Sequence, residues 1–260
     1  MSTPLSLRSF SYWAYQYKRT WRSSLTSSFL NPVLFLAAMG VGLGSLVNKN
    51  APSAARLGGV SYLTFLAPGL LAASAMQIAA QEATYPVHGA VKWLRTYHAM
   101  LATPLRVVDV LVGHLAWIAV RLLLVASMFT AVMAAFGSVR SWGVLAAIPA
   151  AVLTGMAFGA PIAAFAVGRE SDSAFAPMFR FLVVPMFLFS GTFFPVSQLP
   201  AVLRPVAYVT PLWHGVDLCR SLALGRAGAV RSLLHVAYLL AWVAAGTAAG
   251  MRSFRRTLVT

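Results

Sequence analysis

Six long stretches of the chain contain no charged residue and are almost entirely apolar. They cover 23–48, 57–81, 122–139, 141–168, 181–203 and 232–251. Each is close to the roughly 20 residues that a helix needs to cross about 30 Å of hydrocarbon. The pattern therefore predicts an all-α, polytopic membrane protein with six spans, at about 28–48, 61–83, 107–136, 142–167, 174–193 and 231–251.

A helical periodicity precedes the first span, over residues 7–23. One face of this helix carries apolar and aromatic residues, at Phe10, Ala14, Tyr17 and Trp21. Basic residues, among them Arg19, lie on the other side. This arrangement is typical of a helix that lies in the headgroup layer, and a helix packed only on protein is the alternative. We assign 1–26 to a cytoplasmic amphipathic helix, 27–256 to one transmembrane domain and 257–260 to a cytoplasmic tail.

The segment between the last two spans, 193–230, is apolar yet interrupted by prolines. Thr210 and Pro211 suit the cap and first position of a helix, and Gly225 suits the residue just beyond its end. Apolar residues share one face of that helix, at Leu212, Val216, Cys219 and Ala223. Irregular apolar backbone at membrane depth is stable only when protein or a cavity surrounds it. We therefore expect short re-entrant helices on the outer side over 195–225, with an ordinary surface loop as the alternative.

Composition agrees with the spans. Hydrophobic residues make up 59% of the 260-residue chain and charged residues 10%, against about 25% charged residues in soluble domains. The formal charge of +15 is distributed beside the apolar stretches, so it indicates topology and lipid headgroups rather than nucleic acid. The single cysteine, Cys219, excludes an intrachain disulfide.

Lysines and arginines predict the orientation. With the N-terminus inside, eleven flank the inner ends of the spans and seven the outer ends. The inner positions are Arg8, Lys18, Arg19, Arg22, Lys92, Arg95, Arg106, Arg169, Arg252, Arg255 and Arg256. This excess favours cytoplasmic termini.

Two charged residues stand inside or beside the spans. Arg121 lies midway along span 3, too deep to reach the headgroups easily, so it should face the bundle interior or a polar cavity. It either binds an anionic or carbohydrate group or braces span 5. Glu82 lies near the inner end of span 2, where it has a gating role or pairs with a basic side chain.

The hydrophilic connection 84–103 contains aromatic residues that we expect to be exposed. A short helix from Val87 to Leu101 would place Trp93 and Tyr97 on one face and Arg95 elsewhere. An aromatic knob on such a helix suits the groove of a partner, and a helix lying on the bilayer is the alternative.

Several motifs resemble one family. The run FSGTFFPVSQLP at 189–200 is similar to the signature of type-2 ABC exporter permeases, and FLAPG at 65–69 and ATPLR at 102–106 fit the same family. The likeness continues at Pro211, Leu212, His214, Asp217, Arg220 and Gly225, so it covers nearly the whole chain. It is nearest to the membrane subunits of nodulation lipo-oligosaccharide exporters, with the daunorubicin-resistance permeases more distant.

The resemblance implies an exporter subunit of the bacterial inner membrane. Two copies of a cytoplasmic ABC ATPase would bind ATP and Mg²⁺ and contact the amphipathic helix and short loops. A second permease, identical or different, would complete the path. The substrate would be amphipathic or lipid-linked: a lipo-oligosaccharide, a lipid or a drug.

The resemblance also sorts the candidate residues. We expect ATPase coupling at Glu82, Trp93, Arg95, Tyr97 and Arg19. Candidates for the substrate path are Arg121, Phe187, Phe189, Phe193 and Phe194, although lipid-facing or core packing also explains the phenylalanines. The outer re-entrant segment includes Gly191, Pro195, Pro200, Pro211 and His214.

Nothing in the sequence indicates bond-making chemistry. The chain has no G-x-x-x-x-G-K-[ST] phosphate loop, so ATP hydrolysis requires another subunit. The five histidines have no metal-ligand spacing, and no cofactor is expected in this chain. An ion-coupled secondary transporter or channel remains the alternative function.

Overall fold

The computed structural model describes residues 5–49, 57 and 59–259. All regular structure in this part of the chain is helical, and six helical segments are long and apolar enough to cross a membrane. They are Pro32–Lys49, Tyr62–Lys92, Val107–Ala135, Val144–Val167, Asp172–Phe189 and Ala229–Leu258. All six predicted spans are confirmed, and we keep their numbers, span 1 to span 6.

The N-terminal helix runs from Leu5 to Phe35 and continues through a π-helical stretch, Leu36–Leu43, into Gly44–Lys49. Trp13 is buried, and its ring lies 4.3 Å from that of His114 on span 3. Tyr17 and Trp117 lie 5.3 Å apart, also between ring centres. This helix is therefore packed on protein, and its position in a headgroup layer stays a prediction.

Spans 2 and 4 form the centre of the bundle. Span 2 has fully buried alanines along its length, at Ala67, Ala72, Ala79 and Ala83, and small residues let neighbouring helices approach closely. Span 3, Val107–Ala135, and span 6, Ala229–Leu258, pack around this centre. Span 6 stays helical through the arginines near the C-terminus.

The first helix of span 2 ends at Ala83, and the connection that follows this helix differs from the predicted single helix over Val87–Leu101. Two short helices, Tyr85–Lys92 and Thr96–Leu101, are separated by a turn. Arg95 takes a φ of +49°, a left-handed conformation that no helix of L-residues can contain. The prediction of one continuous helix was wrong for this reason.

Span 5 is shorter than the predicted 174–193. It consists of Phe175–Met178, a π-helical turn and Val184–Phe189. Gly191 then takes a φ of +80°, the left-handed conformation with which helices commonly end. Ser190 to Phe194 therefore form a turn, which we call the span 5 turn.

Two further helices, Leu203–Val209 and Pro211–Ala223, follow the span 5 turn. The Thr210 hydroxyl accepts a hydrogen bond from the Trp213 amide at 3.3 Å, so the predicted helix cap is confirmed. Gly225 has a φ of +66° just beyond the helix, as predicted. The predicted apolar face is buried as well, at Leu212, Val216, Cys219 and Ala223.

The Pro211–Ala223 helix runs antiparallel to span 4. Its residue Leu222 packs against Gly143 just before span 4, Cys219 reaches Ala147, and Gly215 meets Thr154 in the middle of the span. The helix therefore begins at the depth of the middle of span 4 and returns toward its start. This geometry fits the expected re-entrant segment, whose position in a membrane stays a prediction.

The two ends of the bundle differ. One end carries 84–106, 168–174 and 252–259, and we call it the basic end. Tyr97 and Phe254 meet there, with ring centres 5.6 Å apart. The other end carries 136–143 and 190–228, and we call it the proline-rich end.

Candidate functional site

Arg121 and Glu82, which the sequence singled out separately, form an ion pair. The Nε atom of Arg121 lies 3.4 Å from a carboxylate oxygen of Glu82, and the side chains are 11% and 23% exposed. The guanidinium also lies 4.6 Å from the ring centre of Tyr17 on the N-terminal helix. Arg121 thus contacts span 2 and the N-terminal helix, and a brace to span 5 stays a prediction. The basic partner expected for Glu82 is confirmed.

The ion pair separates two cavities. One, about 150 Å³, opens beside the N-terminal helix and includes Gln16, Tyr17 and Trp117 in its lining. The other, about 220 Å³, lies between spans 1, 2, 3 and 5, and we call it the inner cavity. Glu82 and Arg121 line both cavities. The ion pair therefore stands between a cavity beside the N-terminal helix and one inside the bundle.

Span 2 contributes a polar stripe to the inner cavity that the sequence reasoning missed. Ser74, Gln77 and Gln81 all line it, and their i, i+3, i+7 spacing puts them on one face of the helix. Hydroxyl and amide groups donate and accept hydrogen bonds. The cavity therefore offers neutral polar groups along one wall, with the ion pair at the end of the stripe. The spacing was the signal that could have found them.

The aromatic candidates follow one side of the bundle. Phe187 lines the inner cavity, and its ring centre lies 6.3 Å from Phe35 and 5.1 Å from Phe193. Phe189, Phe193 and Phe194 line an apolar groove of about 590 Å³ near the proline-rich end, which we call the outer groove. The structure thus places Arg121 and all four phenylalanines along two cavities, and the contact between Phe187 of the inner cavity and Phe193 of the outer groove links them.

The turn between the two short helices at the basic end projects an apolar pair. Trp93 is 61% exposed and Leu94 is 66% exposed. The indole of Trp93 packs over Gly89 and lies 5.4 Å from the ring of His88. Leu94 was missed, since a helical projection placed it on another face. The expected exposed knob therefore exists, and it consists of Trp93 and Leu94.

The expected exposure of Tyr97 was wrong. Its side chain is fully buried, and its hydroxyl lies 2.9 Å from Nδ1 of His114 on span 3. Burial raises the pKa of Tyr97 well above its usual range, so the phenol stays neutral. This hydrogen bond anchors the connection to span 3. Tyr97 faces inward because the left-handed Arg95 turns the second short helix away from the direction of the first.

The other two coupling candidates, Arg19 and Arg95, are exposed. The N-terminal helix does reach the connection, since the hydroxyls of Tyr12 and Thr96 lie 3.4 Å apart. Arg95 lies next to the exposed Trp93–Leu94 pair, whereas Arg19 lies further into the bundle, two residues beyond Tyr17, which contacts Trp117 on span 3.

The re-entrant candidates surround a second polar cluster at the proline-rich end. His214 and His235 lie 2.8 Å apart between their Nδ1 atoms, and Nε2 of His235 lies 2.9 Å from Asp217. Arg231 pairs with Asp217 at 3.0 Å. No group of residues that could hold a metal ion occurs in the described part of the chain.

The charges of this cluster depend on one another. Burial by itself would raise the pKa of Asp217, but the hydrogen bond from His235 and the charge of Arg231 hold it below the usual 3.8. Burial, together with the neighbouring His235, lowers the pKa of His214 to about 4. The carboxylate therefore stays ionised and fastens the Pro211–Ala223 helix to span 6.

The other predicted residues of the segment shape its backbone. Pro195 precedes the short helical turn Val196–Gln198, and Pro200 precedes the Leu203–Val209 helix. Pro211 is the first residue of its helix, where the missing amide proton costs least.

Comparison with known proteins agrees with this architecture. Residues 9–224 match the family described as ABC-2 type transporter. The chain is 35% identical to nodulation protein J of Rhizobium leguminosarum bv. trifolii over 223 residues, which cover 85% of this chain and 82% of that protein. It is 32% identical to nodulation protein J of Rhizobium leguminosarum bv. viciae, over 94% and 91% of the two chains. Nodulation protein J of Bradyrhizobium diazoefficiens is 33% identical, over 95% of each.

Proposed function

Because the chain belongs to the ABC-2 type transporter family, we propose that it is the permease through which an ATP-driven exporter moves an amphipathic or lipid-linked substrate outward across a bacterial inner membrane. A permease of this family is the membrane component of an ABC exporter and works with an ABC ATPase. The observation that supports coupling to the ATPase is the exposed turn at Trp93 and Leu94. It is a compact apolar projection at the basic end, on the connection between spans 2 and 3.

The two cavities support the proposed path. A head group with hydroxyl or amide functions matches the polar stripe of the inner cavity, and Arg121 can donate to an oxygen of that group. The outer groove is lined mainly by apolar and aromatic side chains, which suits an acyl chain. A lipo-oligosaccharide combines both properties, and it is the substrate that we propose.

The contacts that the acidic side chains make argue against the alternative function, an ion-coupled carrier. A secondary transporter needs an intramembrane group that binds and releases the coupling ion. All five acidic residues of the chain are described, and only Glu82 and Asp217 are partly buried and ion-paired. The Asp109 carboxylate accepts the Arg106 amide at the start of span 3, and Glu170 and Asp172 are exposed. Both partly buried carboxylates are thus already engaged with basic side chains, which disfavours a role in ion coupling.

The distribution of basic residues supports cytoplasmic termini and a cytoplasmic basic end. The second permease follows from the family resemblance, and spans 1 and 5 present exposed apolar side chains, such as Leu46 and Phe181 at 66% and 76% exposure, that could face it. We propose a dimer in which these spans face the partner permease. Its two copies bind two ATPase subunits, which hold the ATP and Mg²⁺.

Co-purification from the native host tests the coupling proposal. A tagged chain should carry with it an ATPase that contains a phosphate loop and hydrolyses ATP. The double substitution Trp93→Ala and Leu94→Ala should lower the recovered ATPase at least about tenfold, because interface hot spots are buried aromatic and apolar anchors. The matched control is Val202→Ala with Leu203→Ala, an exposed apolar pair at the proline-rich end. Equal ATPase recovery with both double variants would refute the proposed contact.

A further inference from the structure

Arg220 joins three parts of the proline-rich end. It lies on the Pro211–Ala223 helix, and its Nε donates a hydrogen bond to the carbonyl oxygen of Phe65 in span 2 at 3.0 Å. Its Nη2 donates to the carbonyl oxygens of Gly191 and Thr192 in the span 5 turn, at 2.8 and 3.3 Å. One side chain thus links a re-entrant helix, the start of span 2 and the end of span 5.

The guanidinium fills its site completely. It lies 3.8 Å from the ring centre of Phe65. At Gly69, one turn along span 2, a Cβ atom would lie 2.7 Å from Nη2 of Arg220 and 3.1 Å from the carbonyl oxygen of Thr192. Span 2 and the span 5 turn therefore meet with the arginine between them and no spare space. A shorter side chain would leave three carbonyl groups without this donor.

Arg204 provides a contrast within the same region. Its Nε also donates to a backbone carbonyl, that of Leu199 at 2.8 Å. This bond stays inside the segment between spans 5 and 6, and Arg204 is exposed. Both arginines donate charge-assisted hydrogen bonds, which are stronger than bonds between neutral groups. Such a bond contributes more to structure where its partners are buried than where water can replace it. The position of the span 5 turn should therefore depend on Arg220 and not on Arg204.

We infer that Arg220 is a positioning residue that clamps the span 5 turn onto span 2 and keeps the proline-rich end closed. Phe193 and Phe194 belong to this turn and line the outer groove, so opening the clamp moves a wall of that groove. Substrate release at this end, which rests on the proposed export function, then requires the bonds to Gly191 and Thr192 to part. The bond to Phe65 keeps the arginine on span 2 while the turn moves.

A cysteine at position 192 reports on the clamp. Thr192 is fully buried and its hydroxyl has no hydrogen-bond partner among the described residues, so Thr192→Cys removes no bond. In a Cys219→Ala background, purified protein in nanodiscs is labelled with N-ethylmaleimide. With Arg220 present, labelling should be slow. Arg220→Gln should raise its rate at least about tenfold, the change that corresponds to losing a hydrogen bond to a charged group.

Two controls make the result specific. Arg204→Gln should leave the labelling rate at position 192 unchanged. Ala79→Cys, in the buried middle of span 2, should stay protected in the Arg220→Gln protein. Unchanged labelling of position 192 in Arg220→Gln would overturn the clamp. Equal exposure of position 79 would also overturn it, because the arginine would then hold the whole fold and not the turn.

A third measurement, made while the partner ATPase hydrolyses ATP, tests the proposed export function separately from the clamp. When the partner ATPase and ATP are added, labelling of position 192 should rise in the protein that retains Arg220. If ATP does not raise labelling of position 192 but Arg220→Gln still does, the result would count against ATP-driven export and would not affect the inference about the clamp.

Discussion

Breaking the Glu82–Arg121 pair should destabilise the bundle by an amount between the values for exposed and for buried ion pairs. Losing one partner of a buried pair costs about 3–5 kcal/mol, and an exposed pair contributes about 0–1 kcal/mol. These side chains are 11% and 23% exposed, and the cavities on both sides admit water. We therefore expect Glu82→Gln or Arg121→Gln to cost about 1.5–3 kcal/mol each.

The double variant separates pairing from other effects. Two glutamines leave no unpaired charge and can bond to each other, so the doubly substituted protein should lose only about 1 kcal/mol. The coupling energy of the cycle should then be at least about 2 kcal/mol. Denaturant unfolding of the four proteins in detergent micelles measures it. Arg231→Gln is the control, because Arg231 pairs with Asp217 while 65% exposed and should cost less than about 1 kcal/mol.

Additive single-variant effects would refute this reasoning. They would mean that Glu82 and Arg121 are each stabilised by other groups rather than by each other. A cycle with the predicted coupling would support the ion pair as a stabilising contact between spans 2 and 3.

Further predictions concern packing, anchoring and charge. Gly215→Ala should lower the free energy of unfolding by about 1–3 kcal/mol, because a Cβ there would overlap the side chain of Thr154. The control is Gly159→Ala inside the span 4 helix, where a Cβ would come no closer than 3.5 Å to its neighbours, so it should not lower stability in the same denaturant assay. Tyr97→Phe should cost about 1–2 kcal/mol in that assay by removing the 2.9 Å hydrogen bond to the buried histidine of span 3, and a cost near zero would contradict the anchoring role. Asp217→Asn should destabilise the protein at neutral pH; because the folded-state pKa of Asp217 is lowered, this difference should vanish as the pH falls through that pKa, below 3.8, and a pH-independent difference would argue against the ionised pair.

Local signals in the sequence were sufficient to place the six spans and both ends of the Pro211–Ala223 helix. Each span has its own apolar run, and the Thr210 cap and Gly225 are properties of neighbouring residues. The buried face of the Pro211–Ala223 helix followed from spacing alone. Such features depend only on residues that are close together in the sequence, and the structure confirmed them.

Contacts between distant residues were not accessible in the same way. Glu82 and Arg121 were each recognised as costly charges, but nothing in one chain position identifies its partner in another span. Tyr97 was misplaced because a helical projection assumes an unbroken helix, and Arg95 is not a residue type that signals a left-handed turn. The three carbonyl partners of Arg220 could not be foreseen, since they are backbone groups of any residue type.

ATP-dependent transport by the purified complex tests the central claim most directly. The chain and its co-purified ATPase are reconstituted in vesicles with a radiolabelled lipo-oligosaccharide. We predict transport that requires ATP, stops with vanadate and persists when ion gradients are dissipated. Transport that is indifferent to ATP and vanadate but abolished by dissipating an ion gradient would contradict the assignment as an exporter permease.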